Sequence, residues 1–237
     1  MVVKQFAGSR GDIGLNAALN WVSFLKRLPS LFTGLFLFAC GIAANLQSDL
    51  GMMPWGVLHV GLAKVTPLTI GQADQLVGLL VFVISWALGF APGLGAVANM
   101  FFVGFFVDLV LSWNLIPRQT ELPGQLMLLF VSVVLLGVAS LFYLRVQLGA
   151  GPRDGLMLRL VKKLDVPVAY VRAAIEITVL VLGFLLGGPV GVGTAVVALT
   201  VGYSVQFFFK LGHFSSQSRQ MDLSQLYSYL KKPQKRE

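Results

Sequence analysis

From residue 29 onward the chain is a succession of long apolar runs, broken at short intervals by glycine, proline and charge. Six runs, roughly 29–48, 72–90, 95–112, 126–146, 170–188 and 193–210, approach the ~20 residues that a helix needs to cross a bilayer. Each run is continuous rather than alternating, which excludes the strands of a transmembrane β-barrel. Pro92-Gly93 and Gly187-Gly188-Pro189 mark joints between neighbouring runs. Two shorter helical patterns, 54–64 and 152–163, each follow a Gly-x-x-Pro turn: Gly51 to Pro54 and Gly149 to Pro152. A helix of that size reaches only about 17 Å, too short to span. Each is either a half-helix re-entering the membrane or a helix lying flat at its surface. Arg153, Asp154, Arg159, Lys162 and Lys163 favour the flat reading for the second, whereas the apolar first fits both. Ahead of the first run, residues 12–27 carry Ile13, Leu15, Leu19, Val22 and Leu25 near helical spacing. They predict an interfacial helix or a plain polar leader.

Composition agrees with this pattern. Of 237 residues, 56% are hydrophobic and 12% charged, and the mean hydropathy is +0.79. A soluble domain of this size could not bury so much apolar surface. The single cysteine, Cys40, lies inside an apolar run and reads as a small buried hydrophobe.

The net charge of +8 has a simple explanation. With both ends cytoplasmic, segments 1–28, 91–94, 145–172 and 209–237 hold all the lysines and arginines except Lys64 and Arg118. Positive charge then reports topology and contact with anionic lipid, not nucleic acid. The expected organisation is a cytoplasmic N-terminal segment 1–28, a membrane repeat 29–112, an extracytoplasmic connector 113–125, a second repeat 126–210 and a basic cytoplasmic tail 211–237.

The word repeat rests on an ungapped self-match at an offset of 98 residues. Leu50, Gly51, Pro54, Leu58, Leu62 and Lys64 fall on Leu148, Gly149, Pro152, Leu156, Leu160 and Lys162. Val81, Val83, Leu88, Gly89, Gly93 and Gly95 fall on Val179, Val181, Leu186, Gly187, Gly191 and Gly193. Val103, Gly104 and Val107 fall on Val201, Gly202 and Val205. The glycines and prolines carry most weight because they fix backbone shape. Three spans per copy is an odd number, so the copies take opposite orientations, a plan common in secondary transporters. The expected fold is therefore an all-α polytopic membrane protein of about six transmembrane helices in two inverted three-helix repeats, each with a short Gly-x-x-Pro-initiated helix.

Ionisable groups inside membrane segments are costly and are candidates for function. Glu176 leads, two turns into the fifth run, with Arg172 one turn earlier on the same face. Asp74 stands at the repeat position of Arg172. Asp108 falls near the end of the third run, close enough to water to snorkel. Asp154, beside Arg153, suits a helix-capping role. His59 is a candidate proton or substrate contact, with a quiet hydrogen bond as the alternative. Trp55 and Asn99 complete the substrate or ion-coupling set. Gly51, Pro54, Gly93, Gly95, Gly149, Gly151, Pro152, Gly191 and Gly193 are assigned to shaping the backbone. No metal-ligand spacing, nucleotide fingerprint, cofactor motif or catalytic motif is present in the sequence.

Several motifs together resemble one known family. They are Pro54-Trp55-Gly56-Val57-Leu58-His59, Thr69-Ile70-Gly71, Pro92-Gly93-Leu94-Gly95, and Gly104 with Asp108. The second half adds Gly149-Ala150-Gly151-Pro152-Arg153-Asp154-Gly155-Leu156-Met157, Ile175-Glu176 and Gly187-Gly188-Pro189-Val190-Gly191-Val192-Gly193-Thr194. Over 35–210 the chain resembles the YczE-like branch of the YczE/YyaS/YitT family of bacterial integral membrane proteins. It departs from the family pattern at Gly56, where an Asp is usual, and at Ala96, where a Thr is usual. The resemblance implies a bacterial inner membrane protein of permease type, without naming a substrate.

Two functions fit these residues. One is a small-solute permease or exporter working by alternating access between the repeats. The other is a non-transporting regulatory or assembly protein acting through its tail. In that case residues 221–230, with Leu223, Leu226, Tyr227 and Leu230 on one face, would dock a cytoplasmic partner. The expected associates are the lipid bilayer and an unidentified small-molecule substrate, with a homodimer left open.

Overall fold

A computed structural model describes residues 21–89, 91–149, 151–214 and 220–231. Nine helices occur among them: α1 (Trp21–Gln47), α2 (Pro54–Val65), α3 (Ile70–Ala87), α4 (Leu94–Ser112), α5 (Leu122–Leu144), α6 (Pro152–Leu164), α7 (Val168–Leu185), α8 (Val192–Leu211) and α9 (Leu223–Lys231). Six of them, α1, α3, α4, α5, α7 and α8, are long and apolar enough to cross a membrane. The protein is an all-helical, multi-pass membrane protein.

The six expected spans match these helices to within a few residues, except at the start of the first. Residues 21–27 do not form a separate surface helix. They are the first turns of α1, which continues through Pro29. The start is held in place because the Arg27 guanidinium donates to Val146 O at 2.9 Å. The rest of the expected interfacial segment, up to residue 20, lies outside the described residues.

Helices α1 and α5 form the central pair, packed along much of their length. Gly34 makes this possible. A Cβ there would sit 2.8 Å from Tyr143 N and 3.1 Å from Ala139 O, so the two backbones meet without side chains between them. Helix α4 packs on α1, and α8 packs on α5. The short helices exchange partners across the pair: α2 lies against α7, and α6 against α3. Helix α2 is buried on most of its surface, including Pro54, Trp55, Val57 and His59.

The 98-residue repeat recurs in the backbone. Gly51 (φ +103°) and Gly149 (φ +113°) both occupy left-handed space that L side chains rarely adopt. Asp49 and Gln147, two positions before them, share φ near +58° (58° and 57°). Gly95 N donates to Leu148 O at 2.7 Å, and Gly193 N donates to Leu50 O at the same distance. Each turn is thus closed by the helix that begins the last span of the other half. The carbonyl of each turn glycine is held by one equivalent position carrying two different residues. Asn45 Nδ2 donates to Gly51 O at 3.1 Å, and Tyr143 Oη donates to Gly149 O at 3.1 Å.

One end of the bundle gathers Arg27, Pro92–Gly95, Val146–Gly149 and the last described segment. Met221 N donates to Gln147 O, and Leu223 N to Pro92 O. Met221 and Leu226 are buried in the main apolar core with Tyr143, Val146 and Leu148. The opposite end gathers Gln47–Gly51, Pro189–Gly193 and the 113–121 connector, where Gln119 N donates to Gln47 O and Arg118 pairs with Asp49. These two groupings coincide with the segments that the charge count assigned to opposite sides.

Candidate functional site

Where the two halves meet, the short helices bring charge into the interior. Proline at the first position starts both α2 and α6, its missing N–H being unneeded there. One residue further on stand Trp55 and Arg153, which are repeat equivalents. They touch: the Arg153 guanidinium carbon lies 4.3 Å from the centre of the Trp55 ring, a cation–π stack. Residues at equivalent positions of the sequence repeat are thus in direct contact.

Around that stack a buried network forms. Arg153 Nη2 donates to Asp74 Oδ1 at 2.8 Å, and His59 Nδ1 stands 3.2 Å from the same oxygen. Arg153 Nη2 also lies 3.4 Å from His59 Nε2. A guanidinium can only donate, so a neutral His59 protonated on Nδ1 satisfies both neighbours, donating to Asp74 and accepting from Arg153. His59 and Asp74 are buried, at 3% and 6% relative exposure. Ser85 Oγ donates to Pro152 O at 3.2 Å and fastens the start of α6 to α3.

A second group adjoins the first. The Glu176 carboxylate feels the charges of Arg172 and Arg153 and interacts with the Trp55 side chain. Asp154 interacts with Arg172 and Arg153, and its carboxylate reaches back to the Gly151 backbone. That puts a carboxylate at the positive start of α6. Asn99 and Tyr143 close this side: Asn99 Oδ1 and Tyr143 Oη come within 3.9 and 4.0 Å of where a Cβ on Gly151 would sit. Tyr143 Oη is already committed to Gly149 O. The amide of Asn99 makes no hydrogen bond to any described residue. Exposure rises along the assembly from buried Asp74 and His59, through half-buried Arg153 and Glu176, to exposed Asp154 and Arg172.

Eight of the nine sequence candidates are thus brought together. Asp108 is placed elsewhere. It caps α3, accepting from Gly71 N at 2.8 Å and from the Thr69 hydroxyl. It therefore fixes a helix end instead of snorkelling. The nine backbone-shaping residues all lie at the two crossing turns or at the starts of α2, α4, α6 and α8. Asn45 and Tyr143 form a pair whose shared role in holding the turns was not assigned from sequence. Their common offset of 98 from one another was the available signal, hidden because the residues differ.

Basic groups also finish the helices that the short elements touch. Lys64 Nζ donates to Gly187 O at 2.7 Å, at the end of α7. Arg159 Nε donates to Leu88 O at 2.8 Å, at the end of α3. Each places positive charge on the negative end of a helix dipole contributed by the other half.

Fold and site together define a multi-pass helical membrane protein with a charged network at the junction of two similar halves. Residues 25–210 match the model of a family of unknown function, DUF6198, and the chain belongs to that family. It is 34% identical over 191 residues to an uncharacterized protein of Haemophilus influenzae, covering 81% of this chain and 87% of that one. It is 33% identical over 184 residues to the uncharacterized membrane protein YczE of Bacillus subtilis, covering 74% and 82%. It is 27% identical over 193 residues to the uncharacterized protein YyaS of the same organism, covering 78% and 94%. The YczE-like resemblance is thus supported by named relatives. No solved structure matches the chain.

Proposed function

We propose that the protein is a small-solute secondary permease or exporter of the bacterial inner membrane, not an enzyme. In this reading both termini are cytoplasmic and the two repeats are inverted, giving alternating access around the charged network. The observation that carries the reading is the stack between the repeat-equivalent residues Trp55 and Arg153, with Asp74, His59 and Glu176 around it. Ionisable groups at such a junction are costly to hold, and transporters place substrate and coupling ions there.

The buried and half-buried members are two carboxylates, Asp74 and Glu176, and one guanidinium, Arg153. One negative charge is in excess among them, and a cationic ligand or a proton would balance it. Glu176 is the carboxylate best placed to take it, because Asp74 is already bonded to Arg153 and His59. Untargeted metabolite profiling of cells and medium tests the reading, comparing a null strain, the wild type and Glu176→Gln at equal membrane abundance. A solute that redistributes only with the wild type supports it. Identical profiles in all three strains would overturn it.

A further inference from the structure

The two halves agree closely at their turns and differ most in how their last two spans pack. In the first half, α3 and α4 pack along their length. A Cβ on Gly71 would lie 2.0 Å from Gly104 O, and one on Gly104 would lie 2.2 Å from Gly71 O. Gln75 Nε2 donates to Phe101 O at 2.8 Å, and Gly78 packs on Met100. In the second half, the equivalent helices α7 and α8 do not pack along each other. Nothing lies within 4 Å of a Cβ on Gly202, the counterpart of Gly104. Ala169 and Ala173, the counterparts of Gly71 and Gln75, are exposed. Only 17% and 22% of the apolar windows of α7 and α8 are buried, against 39–44% for the other four membrane helices.

The open seam is furnished on both sides. The α7 face offers small residues, and α8 offers a glycine at the crossing point. Gln206, the counterpart of the α3-capping Asp108, is exposed on α8. Its amide oxygen could accept from the first turn of α7, where Ala169 N–H has no acceptor within its own helix. Glu176 stands at the counterpart of Gly78, the residue that faces α4 in the packed half. The charged network therefore adjoins the open seam.

We infer that α7 and α8 are one seam of a two-position device, caught open, and that α3 and α4 are the same seam caught closed. In the second position α8 closes on α7 over Gly202 while α4 leaves α3. The charged network is then reached from the opposite end of the bundle. The second seam closes less tightly than the first, because Ala169 carries the Cβ that Gly71 lacks and Glu176 stands where Gly78 packs, so the position with α3 and α4 packed is the major one and the other a minor population. This inference rests on the permease reading and adds which helices move.

Cysteine pairs report it in a Cys40→Ala background, with the full chain in lipid nanodiscs. Ala173→Cys with Leu199→Cys marks the open seam. Gln75→Cys with Phe101→Cys marks the closed one. On oxidation the first pair should lose both maleimide-reactive thiols at monomer mass. Spin labels on the same pairs should show a short-distance population at 173/199 and a matching long-distance population at 75/101. Exhaustive oxidation that leaves 173/199 fully reactive, with one long distance, would refute the device. Disulfides formed only between two molecules would refute it too, and would assign the seam to a second copy. Two populated distances without any solute in the profiling experiment would keep the device and remove the permease reading. The reverse result would keep transport and remove the device.

Discussion

Replacing Asp74 by alanine should destabilise the protein mainly by stranding Arg153. The two groups are 2.8 Å apart, so their gross attraction at an effective dielectric of about 20 is about 6 kcal/mol. Desolvation of both ions offsets most of that gain. Removing one partner of a buried pair costs about 3–5 kcal/mol, because the remaining charge keeps its burial and loses its counter-charge. Here the side chains are unequally sheltered, 8% exposed for Asp74 and 35% for Arg153. The guanidinium can recover some hydration and keeps its stack on Trp55, so the expected loss is nearer about 2–3 kcal/mol. Reversible unfolding in mixed detergent measures it, in a cycle of Asp74→Ala, Arg153→Met and the double variant. The double variant should be more stable than Asp74→Ala alone. If Asp74→Ala costs less than about 0.5 kcal/mol, or if the two effects simply add, the pair does not hold the network as argued.

Other expectations can be checked on the same preparation. Gly149→Ala should abolish recovery of folded protein from membranes, since φ is +113° and the added Cβ would meet Gly93 Cα at 2.5 Å; Gly202→Ala, facing open space, should leave that yield unchanged. Tyr143→Phe should cost about 1–2 kcal/mol by unfolding in mixed detergent, because Gly149 O loses its buried donor. Leu226→Ala should cost about 2 kcal/mol in thermal unfolding, while Leu223→Ala, on the exposed side of α9, stays within about 0.5 kcal/mol.

Much of this architecture was legible in the chain, for physical reasons that vary by element. Long apolar runs bounded by Gly and Pro located the spans, and the Gly-x-x-Pro turns located α2 and α6. The start of α1 was not legible, because Lys26, Arg27 and Pro29 look like a boundary. Only the carbonyl of Val146, distant in sequence, shows why Arg27 is accommodated in the helix. The charged candidates were visible as costly residues in apolar surroundings, but their partners were not. Asp74 was most naturally considered with its repeat equivalent Arg172, whereas it bonds Arg153 from the start of α6. Periodicity says which face of a helix a residue occupies, not which helix that face will meet. The tail shows the same gap. Its apolar pattern suggested a surface for a partner, and Leu226 proved to be buried against the chain itself.

The reciprocal bonds at the turns bear on how the protein is made. Leu50 O waits for Gly193 N, and Leu148 O for Gly95 N. When the ribosome has delivered the first half, its turn still has an unpaired carbonyl at the membrane, and the helix that will donate to it, α8, has yet to be synthesised. Each half lacks a hydrogen-bond partner that the other supplies, so the first half is expected to be less stable until α8 is inserted. Two halves encoded on separate messages should accumulate only when translated in the same cell. A chain truncated before residue 193 should be degraded, however well its first three spans insert.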